Sequence, residues 1–401
     1  MSLLEKASRK DLRMNKKSKL KILHVGNHTR PCVGGVEEVI WSLAHEQAAQ
    51  GHAVEIMVFD ACTRGNEKLP AREKAGNVLV HRVPVAGYSF YPTPPEKILV
   101  EKAREMDIVH IHGVGSWLDT LTRNTEKFSA KLILTTHGGF FHTPQRRLLK
   151  WVYAHFFLPR AWNKLDGVTF VRSSDAEKFS FMQNNTVPRE IIANGISEDY
   201  FSLSLQKKDA NMLVFVGRLS KNKRVDNLIR AFAVFAQHPS AAGVELHIIG
   251  KDWEGIQSEL MEVAQHEGVA SRVFFHGEVS ESEKFEWMER AGYMVSASEY
   301  EGFGIGIIEG MAAGCIPVLN TIPPFQEFSS GGRGVIVPFE NAHTAGEKMA
   351  HYWNATREKS LSIRNDCRAY ARTFSWKIIA QKYEEFYSRI LHAKRMETES
   401  S

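Results

Sequence analysis

Residues 298–318 read SEYEGFGIGIIEGMAAGCIPV, and they hold two carboxylates, Glu301 and Glu309, with seven residues between them. A glycine-rich turn lies between the carboxylates, and a helix-like run from Ile307 to Ala313 follows it. Glycine lets backbone N–H groups approach a ligand closely, and N–H groups at a helix start favour an anion. The turn is therefore suited to a diphosphate with a sugar on one side and a ribose on the other. The alternative interpretation is a strand–turn–helix with two surface glutamates.

The composition indicates a globular chain of about two domains. The chain has 401 residues, of which 43% are hydrophobic, and its net charge of +5 does not by itself indicate nucleic-acid binding. The four cysteines are scattered and show no metal-ligand spacing: Cys32, Cys62, Cys315 and Cys367. We therefore expect no disulfide framework, and free thiols are typical of a cytoplasmic protein.

The first 19 residues form a predicted basic tail. No apolar run in the chain approaches the roughly 18 residues of a membrane-spanning helix. No apolar segment follows the basic residues at the N-terminus, so the tail does not resemble a signal peptide. Two interpretations remain: a solvated tail, or an electrostatic anchor to anionic lipid.

The first half of the chain predicts a doubly wound parallel sheet. Strands at 20–25 and 53–59 flank a helix that begins at Gly34-Gly35 and runs through Ala49, which is a βαβ unit. The dinucleotide fingerprint G-x-G-x-x-G is absent. A further strand at 131–140 carries His137 at its carboxyl end, where ligands bind in open α/β sheets.

Two further histidines, His110 and His112, alternate on the strand at 107–113, so they share one face. On its position alone, His137 has either a ligand-binding role or a structural one. Basic and aromatic residues interleave at helical spacing over 145–157. This segment predicts either a core helix with a solvated edge or an interfacial helix on a membrane.

The second half restarts a parallel sheet after a polar linker at 197–210. A strand at 211–219 carries Arg218 near its end, and a basic loop with Lys223 and Arg224 leads into a helix from Asn227. Arginine offers forked hydrogen bonds and lysine a point charge to an anionic leaving group such as a diphosphate. The alternative is that both are ordinary loop charges.

These motifs together resemble family 4 of the retaining glycosyltransferases, over roughly residues 20–390. The stretch with Glu301 and Glu309 resembles the E-x7-E motif of that family, and Gly34-Gly35-Val36-Glu37 resembles its N-terminal Gly-Gly-x-Glu loop. Residues 217–224 resemble its Gly-Arg-Leu…Lys-Gly segment, with Arg224 in place of glycine. Residues 275–279 resemble its Phe-x-Gly-x-Val turn, and residues 194–196 resemble its Asn-Gly-Ile segment after Ala193 in place of proline.

The resemblance implies roles for individual residues. It places Glu301 on the donor sugar hydroxyls, Arg218 and Lys223 on the diphosphate, and His137 facing the reacting sugar. We take these four as the candidate catalytic residues. The residues implied in nucleotide-sugar binding are Gly34, Gly35, Gly277, Val279, Gly302, Phe303, Gly304, Ile305 and Glu309.

The fold implied is α/β of the GT-B class, two Rossmann-like doubly wound domains facing across a cleft. We expect an N-terminal acceptor-side domain over 20–198 and a nucleotide-sugar-binding domain over 211–373. We expect a C-terminal helix over 374–392 to return to the first domain.

The function implied is retaining transfer of a hexose from a nucleotide-sugar to a lipid-linked or other saccharide acceptor in polysaccharide biosynthesis. A narrower resemblance, carried by residues 136–143 and 322–327, is to bacterial exopolysaccharide mannosyltransferases, with GDP-mannose as the donor. Alternatives are a UDP-sugar donor, an inactive sugar-nucleotide-binding relative, or a nucleotide-sugar epimerase. Sequence leaves open whether the reaction is front-side displacement or double displacement through Glu301.

No metal or cofactor is expected beyond the nucleotide-sugar co-substrate, because Arg218, Lys223 and a helix N-terminus supply the positive potential. The partners implied are the donor, a saccharide or polyprenyl-diphosphate-linked acceptor and an anionic membrane surface, with no nucleic acid. The predicted location is the cytoplasm, at the inner face of the cytoplasmic membrane if the chain is peripheral.

Overall fold

The computed structural model describes residues 19–32, 34–62, 68–88, 91–138, 147–182 and 186–399. These residues belong to two compact units: unit 1 takes the chain up to 192 and again from 382, and unit 2 takes 193–381. Apart from Lys19, the predicted basic tail lies outside the described residues, as do residues 139–143 of the narrower resemblance and 145–146 of the basic-aromatic segment.

Unit 1 is built on an eight-stranded sheet. Its strands, and those of a separate hairpin, are β1 (Lys21–Val25), β2 (Ala53–Phe59), β3 (Arg72–Ala75), β4 (Val78–Val83), β5 (Ala86–Tyr88), β6 (Tyr91–Thr93), β7 (Ile108–His112), β8 (Lys131–Thr135), β9 (Gly167–Phe170) and β10 (Arg189–Ile191). The sheet order is β10-β9-β8-β7-β1-β2-β4-β3, and only β3 runs antiparallel to its neighbour. The hairpin β5–β6 forms a separate two-stranded antiparallel sheet.

Short helices connect the strands of unit 1. They are α1 (Gly35–Ala49), α2 (Glu96–Ala103), α3 (Ser116–Thr122), α4 (Arg147–Val152), α5 (Leu158–Trp162) and α6 (Ser173–Lys178), with a π-helical turn over Tyr153–Phe157 and 3-10 turns over Thr125–Lys127 and Ser180–Met182. Helix α1 is amphipathic: Val39, Ile40 and Leu43 are buried, whereas Glu37 and Glu38 lie in its first turn. The apolar face covers the sheet, and the acidic first turn complements the helix dipole.

Unit 2 holds a six-stranded, fully parallel sheet. Its strands are β11 (Asp209–Val216), β12 (Glu245–Ile249), β13 (Val273–Gly277), β14 (Ala291–Ser296), β15 (Ile316–Leu319) and β16 (Val335–Ile336), in the order β13-β12-β11-β14-β15-β16. Its helices are α7 (Val225–Phe235), α8 (Gln257–His266), α9 (Glu281–Arg290), α10 (Ile305–Ala313), α11 (Pro323–Ser329), α12 (Ala342–Thr356) and α13 (Ser360–Arg372), with 3-10 turns over Glu198–Ser202, Lys221–Lys223, Pro239–Ala241, Ala270–Arg272 and Ser330–Gly332.

The last helix, α14 (Trp376–Glu399), begins in unit 2 and passes to unit 1 at residue 382. In unit 1 it buries Tyr383, Phe386 and Tyr387. Phe386 lies so close to Gly167 of β9 that a Cβ there would approach the ring to 2.8 Å. The aromatic face of α14 is therefore part of the core of unit 1.

The segment before β11 belongs to unit 2, which differs from the predicted boundary at 198 and the predicted linker at 197–210. Ile196 pairs with Ser375 in an isolated bridge. Tyr200 packs in the apolar cluster of unit 2. Sequence polarity concealed this packing because Ile196 and Tyr200 lie among exposed polar neighbours.

The prediction of free thiols is wrong for one pair: Cys32 and Cys62 form a disulfide, with their Cα atoms 5.4 Å apart. The two cysteines follow β1 and β2, which are parallel neighbours, so the segments after them leave the sheet at one edge. Their separation in sequence hid this proximity. Cys315 and Cys367 are free and buried.

The interpretation of residues 145–157 as a core helix is also wrong. In the described part of this segment, most of the apolar side chains are exposed. Leu148 is 76% exposed, and the other large exposed apolar side chains of this region are Leu149, Trp151, Phe156, Phe157 and Phe181. Only the side facing the core, with Ala154 and Leu158, is buried. Within the described ranges, no helix is both long enough and apolar enough to cross a bilayer.

Candidate active site

The centre of the candidate site in unit 2 is an ion pair between two predicted residues. The Nζ of Lys223 lies 2.5 Å from Oε1 of Glu301, and Ser298 Oγ donates to the same oxygen at 3.0 Å. The side chains of Lys223 and Glu301 are 16% and 18% exposed, so solvent still reaches the pair. The carboxylate thus holds the lysine ammonium in one position while its Oε2 stays available for another partner.

Sheet topology explains why these two residues meet. Strands β11 and β14 are parallel neighbours, so the loops that follow them leave the sheet at one edge. Lys223 is on the first loop and Glu301 on the second. The loops are also joined by backbone, because the N–H of Glu299 donates to the carbonyl of Asn222 at 3.0 Å.

Arg218, at the start of the first loop, is exposed and stacks on an aromatic ring. Its guanidinium carbon lies 4.8 Å from the centroid of Trp253. This cation–π contact orients the arginine without consuming its hydrogen bonds. Trp253 was not predicted; the available signal was its position in the loop after β12.

The glycine-rich turn has the backbone that its sequence predicts. Gly304 adopts a left-handed conformation with φ of 89°, and a Cβ there would lie 3.1 Å from Phe328. Helix α10 begins at the next residue, Ile305, and its first turn carries no acidic side chain. The positive end of the helix dipole is therefore open to an anion.

Glu309 lies on α10 and is paired with a lysine that sequence analysis missed. Its Oε2 is 3.4 Å from Nζ of Lys284, on α9. Burial raises the pKa of Glu309, and the lysine partly opposes that shift. Burial lowers the pKa of Lys284, but Glu309 and Glu281 outweigh it, and its pKa is raised overall. Burial and the ion pair with Lys284 therefore act in opposite directions on the pKa of Glu309.

The turn at Gly277 completes the predicted residues of unit 2. Gly277 has φ of 68°, and its carbonyl accepts the N–H of Gly250 at 2.7 Å. Val279 is partly buried against the apolar cluster of the unit. Ser280 then caps α9 with a capping box to Glu283. The turn is thus fixed on both sides and presents its backbone at the same sheet edge as Lys223.

In unit 1, the predicted glycines lie at the start of α1. A Cβ on Gly34 would fall 2.1 Å from Oε2 of Glu37, whereas one on Gly35 would meet nothing within 4 Å. Glu37 therefore folds back over Gly34. Nearby, Arg30 forms two hydrogen bonds with the carboxylate of Glu38.

His137 follows β8 by two residues and has a left-handed backbone, with φ of 48°. Such a conformation in a non-glycine residue costs free energy and is enriched at functional sites. Its ring stacks on His112 with centroids 5.3 Å apart. Burial lowers the pKa of His137 to about 4, so the ring is neutral.

The histidines His110 and His112 share one face of β7, as predicted, and both are buried. Their rings stack at 4.3 Å, and His24 of β1 packs against both. His24 was missed, although the pairing of β1 with β7 places it opposite His110.

Three imidazoles so close could hold a metal ion. All six of their ring nitrogens are instead within hydrogen-bond distance of protein partners: two between His24 and His112, and one each to Gln47, Tyr387, Thr135 and His137.

Arg224, which replaces the glycine of the resembled segment, keeps a glycine-like backbone. Its φ is 47° and its ψ is 43°, and it precedes α7. Its side chain forms ion pairs with Asp226 and Glu299. Among the described non-glycine residues, only Arg224 and His137 have positive φ, and both lie in candidate site segments.

We expect Arg224→Gly to be more stable than Arg224→Ala by about 1 kcal/mol, because both lose the ion pairs but only glycine removes the left-handed strain. The free energies of unfolding of the two variants, measured by urea denaturation, test this difference. Equal stability of the two variants would show that the turn does not retain its left-handed backbone in solution.

Two family sequence models match this chain. The family sequence model described as Glycosyltransferase Family 4 matches residues 33–200, and the one described as Glycosyl transferases group 1 matches residues 197–374. The two matches are consecutive and together cover the predicted motifs from Gly34 to Glu309.

Curated relatives match along nearly the whole chain. The GDP-mannose:cellobiosyl-diphosphopolyprenol alpha-mannosyltransferase of Xanthomonas oryzae pv. oryzae is 26% identical over 94% of this chain and 99% of its own. The enzyme of the same name from Komagataeibacter xylinus is 26% identical over 93% and 94%.

The fold is similar to that of sucrose-phosphate synthase from Thermosynechococcus elongatus, with a TM-score of 0.71, 18% identity and coverage of 94% of this chain and 100% of that one. The predicted GT-B fold class, with two Rossmann-like domains, is confirmed. The chain is an enzyme that transfers glycosyl groups, and it belongs to family 4 of the glycosyltransferases.

Proposed function

We propose that this chain transfers mannose from GDP-mannose, with retention of anomeric configuration, to a polyprenyl-diphosphate-linked oligosaccharide in exopolysaccharide assembly. The observation that carries the proposal is the pairing of Lys223 with Glu301 beside the open N-terminus of α10. That arrangement offers a cation and helix N–H groups to a diphosphate and a carboxylate to sugar hydroxyls. The names of the full-length relatives support the choice of donor and acceptor.

The reaction forms one bond to the anomeric carbon and breaks one. The acceptor hydroxyl oxygen bonds to C1 of mannose, the bond from C1 to the diphosphate oxygen breaks, and the hydroxyl proton passes to the released diphosphate. In this front-side route the main task of the protein is to stabilise the charge that builds on the leaving group. Arg218, Lys223 and the first turn of α10 supply that stabilisation, so the proposed reaction needs no metal ion.

Glu301 acts in this scheme by binding rather than as a nucleophile. Its Oε1 is taken by Lys223 and Ser298, and these contacts spread its negative charge. Its Oε2 can accept donor sugar hydroxyls. Glu309, held by Lys284, accepts ribose hydroxyls in the same way.

His137 is proposed to contact the reacting sugar. Its neutral ring can exchange a hydrogen bond with a sugar hydroxyl without repelling the positive charge that develops at the anomeric carbon. This is why the lowered pKa of His137 fits the role.

The apolar patch of unit 1, defined as Leu148, Leu149, Trp151, Phe156, Phe157 and Phe181, is proposed to dock on the inner face of the cytoplasmic membrane. His155 links Trp151 to Phe181 through ring contacts of 4.6 and 5.8 Å, which makes the patch continuous. Exposed basic residues, Arg160 and Lys164, adjoin it. Exposed aromatic and aliphatic side chains beside basic ones are typical of membrane-surface binding, and a polyprenyl-linked acceptor lies at such a surface.

Thermal unfolding with nucleotides is the first test of the donor. A ligand at 100 times its Kd stabilises the folded state by about 2.7 kcal/mol. We therefore expect GDP and GDP-mannose to raise the apparent Tm, and UDP, ADP and their sugar conjugates to leave it unchanged. A shift with UDP compounds alone would overturn the choice of GDP-mannose.

The charged residues of unit 2 are tested by transfer kinetics. We expect Arg218→Ala, Lys223→Ala and Glu301→Gln each to lower kcat by at least ~100-fold, because each removes charge stabilisation or the group that holds it. Lys221→Ala is the matched control, since Lys221 is an exposed lysine on the same loop. Near-normal turnover in all three variants would reject the assignment of the site.

The membrane surface is tested by flotation with anionic vesicles. We expect the double variant Leu148→Glu, Trp151→Glu to lose at least ~10-fold in vesicle binding, because two exposed apolar side chains that would enter the membrane interface become charged. Leu361→Glu is the control, since Leu361 is 58% exposed but lies in unit 2. Deletion of residues 1–19 separately measures the basic tail, and unchanged binding of the double variant would exclude the patch.

A further inference from the structure

A row of side chains leads from His137 into the core of unit 1. His137 Nε2 lies 3.0 Å from His112 Nδ1, His112 Nε2 lies 2.9 Å from His24 Nδ1, and His24 Nε2 lies 2.7 Å from Oε1 of Gln47. His112 and His24 each use both ring nitrogens in this row. We call these four residues the histidine row.

The three rings of the row are neutral. Burial lowers the pKa of His24 to about 4, although the hydrogen bond to Gln47 raises it, and burial lowers the pKa of His112 well below its usual value. The pKa of His137 falls to about 4 for the same reason. A neutral imidazole has one donor nitrogen and one acceptor nitrogen. The direction of one hydrogen bond in the row therefore determines the direction of all the others.

Gln47 sets that direction. Its Oε1 can only accept, so His24 must carry its proton on Nε2 and accept at Nδ1. His112 then donates from Nε2 and accepts at Nδ1, and His137 donates from Nε2. The separation of 2.7 Å between Gln47 and His24 suits an N–H···O bond and is short for two nitrogens.

The amide of Gln47 is itself held in orientation. Gln47 lies on α1 and is 1% exposed. Its Nε2 donates to the hydroxyl of Tyr387 on α14 at 3.4 Å. That hydroxyl also lies 2.6 Å from His110 Nδ1, and we assign its proton to this contact. Tyr387 thus favours the amide orientation that presents oxygen to His24.

We infer that Gln47 is a positioning residue that fixes His137 in the tautomer with the proton on Nε2. In this tautomer, Nδ1 of His137 can accept a hydrogen bond from a hydroxyl group of the sugar that is transferred. The inference rests on the proposed function, because it takes His137 as the residue that meets the sugar. Gln47 acts only through the two intervening histidines. If the hydrogen bonds of the histidine row ran in the opposite direction, the proton of His137 would lie on Nδ1. This nitrogen would then donate a hydrogen bond instead of accepting one.

The tautomer is measured directly by ¹⁵N NMR of the full chain labelled at histidine. His137→Asn identifies the signals of His137 by their loss. We expect wild type to show protonated Nε2 and unprotonated Nδ1 at His137. Gln47→Met keeps the side-chain length and removes the amide, so Nε2 of His24 loses its hydrogen-bond partner. An unpaired lone pair on this nitrogen is buried at less cost than an unpaired N–H group, so the proton of His24 should move to Nδ1. The hydrogen bonds of the row then reverse, and the population of His137 should shift toward protonated Nδ1.

Three further variants make the test specific. Gln50→Met changes the amide that follows α1 outside the row and should leave the His137 signals unchanged. Tyr387→Phe removes the group that orients the amide and should give a mixture of tautomers, which also serves if Gln47→Met does not fold. Wild-type-like His137 signals in both Gln47→Met and Tyr387→Phe would overturn the inference.

Kinetics separate this role from a structural one. With GDP-mannose, Gln47→Met should lower kcat about 10-fold and leave the donor KM within about 2-fold, because the ring stays in place with the wrong tautomer. In the His137→Asn background, Gln47→Met should cause no further decrease in kcat. Additive losses would mean that Gln47 acts through stability alone. Absence of transfer by wild type would reject the proposed function, while the NMR result would still decide the tautomer.

Discussion

Parallel strand pairing is the constraint on which the arrangement of the candidate residues depends. In a parallel sheet every strand ends at the same edge, so loops far apart in sequence emerge side by side. In unit 2 this edge gathers the loops after β11, β12, β13 and β14, which carry Arg218, Trp253, Val279 and Glu301. In unit 1 it gathers the segments after β1, β2 and β8, including the cysteine pair and His137.

Sequence predicted most of the strands and the positions of the motifs because buried parallel strands and glycine-dependent turns leave strong local signals. Strand β2 has the predicted bounds, and the turn at Gly304 has the positive φ that only glycine adopts readily. The GT-B fold came from the resemblance of the motifs rather than from periodicity.

The features that sequence analysis did not predict have a different physical origin in common. Lys284, Trp253 and His24 enter the site through contacts between distant segments, and no local pattern marks such contacts. The disulfide and the unit boundary were misjudged for the same reason. The exposure of residues 148–157 was ambiguous because an apolar helical face looks the same in sequence whether protein or another surface covers it.

Two ion pairs join opposite charges in unit 2. Lys223 is paired with Glu301 and Lys284 with Glu309, so each lysine is held within a few ångströms of a carboxylate. Each pairing offsets part of the cost of burying the two charges. It also fixes long side chains that would otherwise lose rotamer freedom on binding, so part of the entropic cost is met during folding.

Because helix α14 contributes to unit 1, the two units have all of their residues available at different times during translation. Unit 2 is one continuous segment, so all of its residues are available once residue 381 has left the ribosome. Unit 1 receives Tyr383, Phe386 and Tyr387 only after unit 2 has been made, although its strands are synthesised first. The nascent first half must therefore wait with an uncovered apolar surface, and chaperones are expected to bind this half of the chain during synthesis.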